Sequence, residues 1–190
     1  MRFLLITIVI AGIMITISSC KTSKPTIGNV TGATEINVPF LESKYKSDKD
    51  FFRAKQVGKS PDLAASKKIA LQNAKGELAT NINAIVKIVS DQYTNQRTVS
   101  NTQEFENKFE ELARVVTEQT LTDVNVIGEK VFKELDGSYS YWVVIEASKQ
   151  SILDGVSIKI SKNDKLQLDY DKKKFEDIFN SEMEKMSKGQ

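Results

Sequence analysis

The chain has 190 residues, with 27 Lys+Arg against 25 Asp+Glu, a net charge of +2, no histidine and a single cysteine. So even a balance excludes the basic excess of a nucleic-acid binder and gives no reason for strong attraction to anionic head groups. Without histidine, and with no cysteine beyond position 20, the usual general base, thiol nucleophiles, thiolate metal sites and an internal disulfide are all missing.

In chain order, the first segment is a positive Met1-Arg2 followed by an apolar run from Phe3 to Ile17, broken only by Thr7, Gly12 and Thr16. The run is about 15 residues long, within the signal-peptide range and short of the ~20 that a spanning helix needs. Ile17-Ser18-Ser19-Cys20 then resembles the bacterial lipobox, where small residues precede the cut and a cysteine thiolate takes the diacylglycerol. Residues 1–19 therefore read as a lipoprotein signal peptide, with cleavage between Ser19 and Cys20 and lipidation on Cys20. The competing readings are an ordinary signal peptide with a coincidental cysteine and an uncleaved N-terminal anchor. Two or three acyl chains would hold the mature protein stably on a membrane. Removing 19 of 190 residues leaves 171, enough for one domain and hardly for two. Lys21, rather than aspartate, follows Cys20 and favours the outer membrane. No acidic run follows in Lys21 to Pro25, which favours a domain facing the periplasm.

Residues 20–47 read as the lipidated N-terminus and a flexible tether, polar and punctuated by Gly28, Gly32 and Pro39, with Glu35 to Phe40 as an optional short strand. Residues 48–190 read as one α+β domain. Its first strand is Asp50 to Val57. Gly58-Lys59-Ser60-Pro61-Asp62 stops that strand and starts a helix, with Ser60 as N-cap and Pro61 at the first helical position. Leu63, Ala70, Ala74, Leu78, Ile82, Ile85 and Val89 recur at helical spacing and predict a long helix to about Asp91. Gln92 to Thr102 breaks the pattern. Phe105, Phe109, Leu112 and Val116 predict a second, shorter helix. Val124 to Phe132 changes to a strand, with Gly128 as a bulge, and Asp136-Gly137 is a hairpin signal. Tyr139 to Ala147 alternates cleanly, and Trp142 and Val144 on its other face make it a central strand. Ser148 to Val156 reads as a short helix or turn closing on Gly155. Asp171 to Lys188 reads as a C-terminal amphipathic helix with Phe175, Ile178, Phe179, Met183 and Met186 inward. The fold class is α+β: an antiparallel sheet packed against one long and one shorter helix, plus that last helix.

Arg53-Ala54-Lys55-Gln56-Val57-Gly58-Lys59-Ser60-Pro61-Asp62, then Ala70, Asn73-Ala74-Lys75, Glu77-Leu78-Ala79 and Ile82, resembles the core of the LPP20-type bacterial lipoproteins. Lys75 stands where arginine is more usual. The likeness spans residues 50–150, and the hairpin from Leu121 to Ala147 and the lipobox suit it. It implies a small α+β domain in a cell-envelope lipoprotein, related to the N-terminal domain of a flagellar assembly protein, with no catalytic residues to carry over.

Other clusters have bland readings. Gly58-Lys59-Ser60 lacks the second glycine of a phosphate loop, so it is a capped turn ahead of an anion site. Glu104, Glu106, Glu110 and Glu111 are a solvated helix face rather than a cation site, and Asp62 and Glu77 stand too far apart along their helix to pair. Lys172-Lys173-Lys174 is a helix start, and Tyr139, Tyr141 and Trp142 are core residues ahead of a stacking platform. The expectation is a non-enzymatic envelope lipoprotein, without cofactor, metal or nucleic acid, binding a protein or envelope polymer in the periplasm. The alternatives are a carboxylate-based hydrolase acting on envelope glycans and a structural subunit of an envelope assembly.

Overall fold

Alternating side chains and a close-packed helix set the frame. In the computed structural model, which describes residues 36–96 and 102–189, Phe51–Ser60 form strand β1 and Leu63–Asn95 the 33-residue helix α1. Thr102–Thr120 form α2, Asn125–Lys133 β2 and Tyr139–Ser148 β3, followed by α3 (Lys149–Ile160), α4 (Asp164–Asp169) and α5 (Lys172–Lys188). The sheet is antiparallel in the order β1-β3-β2, so β3 is central as its two-sided apolar pattern requires. The chain divides into two units, Met1–Asn37 and Val38–Gln190; only residues 36 and 37 of the first are described, and the fold is that of the second. Ser19 and Cys20, and with them the cleavage and lipidation sites, lie outside the described residues.

One face of the sheet carries Phe52, Ala54, Tyr141, Val143, Ile145 and Ala147, all buried. Against it lies the first half of α1, through Ser66, Ala70, Ala74, Leu78 and Ile82. At roughly 50 Å, α1 outruns the roughly 33 Å of a ten-residue strand. Its second half is covered by α2 and α5 in a ring cluster of Tyr93, Phe105, Phe109, Phe175 and Phe179. There the Phe109 and Phe175 centroids are 5.2 Å apart, and Phe52 joins the sheet to Phe179 at 6.3 Å. Burial of the Tyr93 hydroxyl is compensated because it accepts a 2.7 Å hydrogen bond from the Asp171 backbone N–H.

Close approach decides two glycines. A Cβ on Gly58 would stand 2.2 Å from the Ser66 carbonyl oxygen and 2.4 Å from the Ala70 nitrogen, so α1 rests with its backbone on β1. A Cβ on Gly155 would stand 2.7 Å from Val116 Cγ1, where α3 crosses α2. Gly155 thus lies inside α3, which runs on to Ile160, and does not close it as expected.

Four further expectations are corrected. The N-cap of α1 is Asp62, not Ser60: its carboxylate accepts from Ala65 N–H at 2.7 Å, because pairing with Tyr139 keeps Ser60 in the strand. Leu63 is 44% exposed, and the fully buried Ser66 takes its place on the stripe, since the first turn overhangs the sheet. The helix runs on past Asp91 to Asn95, because Tyr93 continues the stripe one turn after Val89. Finally, the compact unit starts at Val38 rather than 48. Phe40 is buried and its ring lies on Gly128, where a Cβ would be 2.8 Å from it. The stretch from Val38 to Asp48 is a strap on the sheet and contains no strand. The bulge at Gly128 and the hairpin turn, with Gly137 at φ +82°, are where the sequence puts them.

Candidate functional site

A three-stranded sheet has two outer edges, and this one treats them differently. Along the first half of β1 the outward backbone groups are met in turn, and beyond Arg53 only the Val57 carbonyl is. Phe51 N–H donates to the Asp48 carboxylate at 2.9 Å, and its carbonyl accepts from Asp48 N–H at 2.9 Å. Arg53 N–H donates to Ser47 Oγ at 2.8 Å, and Ser47 Oγ donates to the Arg53 carbonyl at 3.2 Å. Asn73 Nδ2 on α1 donates to the Val57 carbonyl at 3.3 Å. Side chains that satisfy an edge in this way block the addition of another strand.

Along β2 no such capping occurs among the described residues. The 2.8 Å bond from Glu134 N–H to the Ser138 carbonyl fixes the ladder phase. By alternation, the N–H and C=O of Glu129, Val131 and Lys133 then point away from β3. Among the described residues nothing hydrogen-bonds to them. Val126, Val131 and Phe132 are each about half exposed along the same strand, and Leu135 at the turn is fully exposed.

The sheet face turned away from α1 is half covered. The strap closes the end near the start of β1, placing Phe40 over Gly128 and beside the fully buried Val144. Arg53 pins it, bonding Glu146 on β3 at 2.9 Å, the Asp48 carboxylate and the Lys46 carbonyl at 2.8 Å. Partial burial pushes the Asp48 carboxyl up, but the Arg53 guanidinium and the Asp50 and Phe51 N–H groups hold it below its usual value. The far half of this face carries Val57, Trp142 and Phe132 between Lys59 and Lys130, with Trp142 half-buried. Trp142 therefore stands on an open face, not in the core, whereas Tyr141 is core. Glu129 reaches Tyr141 and Lys67, and these two hydrogen bonds hold its carboxyl low.

The remaining sequence clusters are taken up locally. Gly58-Lys59-Ser60 is the end of β1 and not the expected turn, because all three residues pair with β3, and Asp62 fills the N-terminus of α1 with its own carboxylate, so no anion cradle forms. Glu106 accepts from Thr94 Oγ1 at 2.9 Å, Glu110 pairs with Lys87 at 3.2 Å and Glu104 with Lys108 at 3.1 Å. Glu77 bonds Gln56 at 3.0 Å. Lys172 pairs with Glu176, and Lys174 donates to the Gln96 carbonyl. The described carboxylates whose ionisation shifts (Asp48, Glu129, Asp136, Glu182 and Glu184) are all lowered, by the hydrogen-bond donors and cations beside them. Among the described residues no group of three or more potential ligands gathers for a metal, and no helix is long and apolar enough to cross a membrane.

The sequence contains the signal for this surface in Val126, Gly128, Val131 and Phe132, but not which edge would be left open. That depends on the strap and on Asn73. No protein-family model matches the chain, and no curated protein matches it either.

Proposed function

We propose that the chain is a non-enzymatic envelope lipoprotein of the LPP20 type, anchored by a lipid on Cys20. Its α+β domain faces the periplasm and binds a protein partner along β2. The observation that carries the binding reading is the asymmetry of the two edges. One is capped at Phe51 and Arg53 and at the Val57 carbonyl, and the other offers backbone groups of Glu129, Val131 and Lys133 that are free among the described residues, beside exposed apolar side chains. An extended segment added there gains main-chain hydrogen bonds and side-chain contacts together. The anchoring part rests on the lipobox residues Ile17-Ser18-Ser19-Cys20.

Two experiments test these parts separately. Cys20→Ser should abolish incorporation of labelled fatty acid and release a folded protein from the membrane fraction. A variant still membrane-bound after its signal is removed would refute the anchor. A photo-crosslinking amino acid at position 131, in intact cells, should give adducts with protein; their absence would refute β2 as the binding edge.

A further inference from the structure

We infer that the partner on β2 is a second copy of this chain, paired antiparallel about a two-fold axis through Val131 to make a continuous six-stranded sheet. This rests on β2 being the binding edge, as proposed above. A two-fold interface places each residue against a fixed counterpart in the other copy, so the strand sequence must complement its own reverse. With the axis at Val131, Val131 meets its own copy, Glu129 faces Lys133 and Lys130 faces Phe132. Opposite charges and a cation beside a ring are both favourable cross-strand pairs. Axes at Glu129, Lys130 or Lys133 put like charges directly against each other. An axis at Phe132 avoids that, but it opposes Glu129 to Leu135, which lies in the turn and outside β2. The Val131 axis makes about six main-chain hydrogen bonds, because Glu129, Val131 and Lys133 all face outward; the Phe132 axis makes about four.

The rest of the fold leaves room for this pairing. An axis perpendicular to the sheet puts both copies of α1 on the same face, and α1 lies over β1 and β3 with β2 to its side. The bulge between Val126 and Gly128 ends the regular part of β2, so pairing is confined to the stretch where the complementarity lies. A two-fold interface uses the same edge in both copies and so closes on itself as a dimer, and the caps at the start of β1 hinder growth at the two outer edges that remain.

The test uses the full lipidated chain. The photo-crosslinker at position 131 should yield an adduct of twice the chain's mass containing only this protein. In mild detergent, light scattering should show a dimer. Lys133→Glu, which sets two acidic pairs face to face, should weaken that dimer at least tenfold, and Glu129→Lys combined with Lys133→Glu should restore it. Circular dichroism on each variant confirms that the protomer stays folded. Val131→Pro removes an outward N–H that the protomer does not use, and should leave only monomer. Adducts with a different protein would overturn the self-pairing and leave β2 as a binding edge. No adduct at all would remove both. A dimer indifferent to Lys133→Glu and to Val131→Pro would also refute the inference.

Discussion

Replacing Gly58 with alanine tests the contact on which the fold is built. The added methyl would meet the Ser66 carbonyl oxygen at 2.2 Å, the Ala70 nitrogen at 2.4 Å and Ile69 Cβ at 2.9 Å. Two of these three obstacles are helix backbone, which cannot rotate aside, so α1 must lift from β1. Overpacking of this kind costs about 1–3 kcal/mol, and the upper end applies where backbone is the obstacle. The lower chain entropy of unfolded alanine returns about 0.4–1 kcal/mol, leaving a net loss of about 2 kcal/mol. For a domain of this size that is a fall of about 4–8 °C in Tm. Gly76 on the same helix has open space around it, with nothing within 4 Å of the place a methyl would occupy, so Gly76→Ala should stabilise by about 0.5–1 kcal/mol. Thermal and urea unfolding of the two variants, followed by circular dichroism, should move in opposite directions. If Gly58→Ala unfolds no earlier than the parent, backbone-on-backbone packing of α1 against β1 is wrong.

The other predictions concern single contacts. Asp62→Ala should cost about 1 kcal/mol by removing the α1 cap, and Ser60→Ala clearly less, which unfolding midpoints would show; the reverse order would restore Ser60 as the cap. Phe40→Ala should cost about 3 kcal/mol and speed hydrogen exchange in β2, whereas a strap irrelevant to the domain would leave both unchanged. Asp48 has a folded-state value below its ordinary 3.8, so the stability it contributes is present above that value and is lost as pH falls through the lowered one. Asp48→Asn should therefore flatten the acid limb of a Tm-against-pH curve; an unchanged limb would exclude its pairing with Arg53 as the source.

Sequence periodicity alone determined the three strands, the long helix, α2 and the C-terminal helix and their order, but not the six-residue α4, which is too short to show a period. The alternation from Tyr139 to Ala147 requires a central strand because both of its faces carry apolar groups, and the turn at Gly137 follows from the φ that only glycine adopts freely. The Ala70-Ala74 stripe likewise announces a helix held close to its neighbour. These are local properties, set by residues a few positions apart.

What the tertiary structure decided is which surfaces are left over. Phe40 reads as part of a tether because its partner, Gly128, lies 88 positions away in sequence. Leu63 reads as core and is half exposed, because only the placement of the sheet under α1 shows where the first turn overhangs. The candidate binding edge belongs to the same class. Val131 and Phe132 look like ordinary strand residues, and β1 and β2 look equally like edges. Asp48 and Ser47 reach β1 from three and six positions upstream and Asn73 reaches it from the long helix, and only the assembled sheet shows that no described side chain does the same for β2.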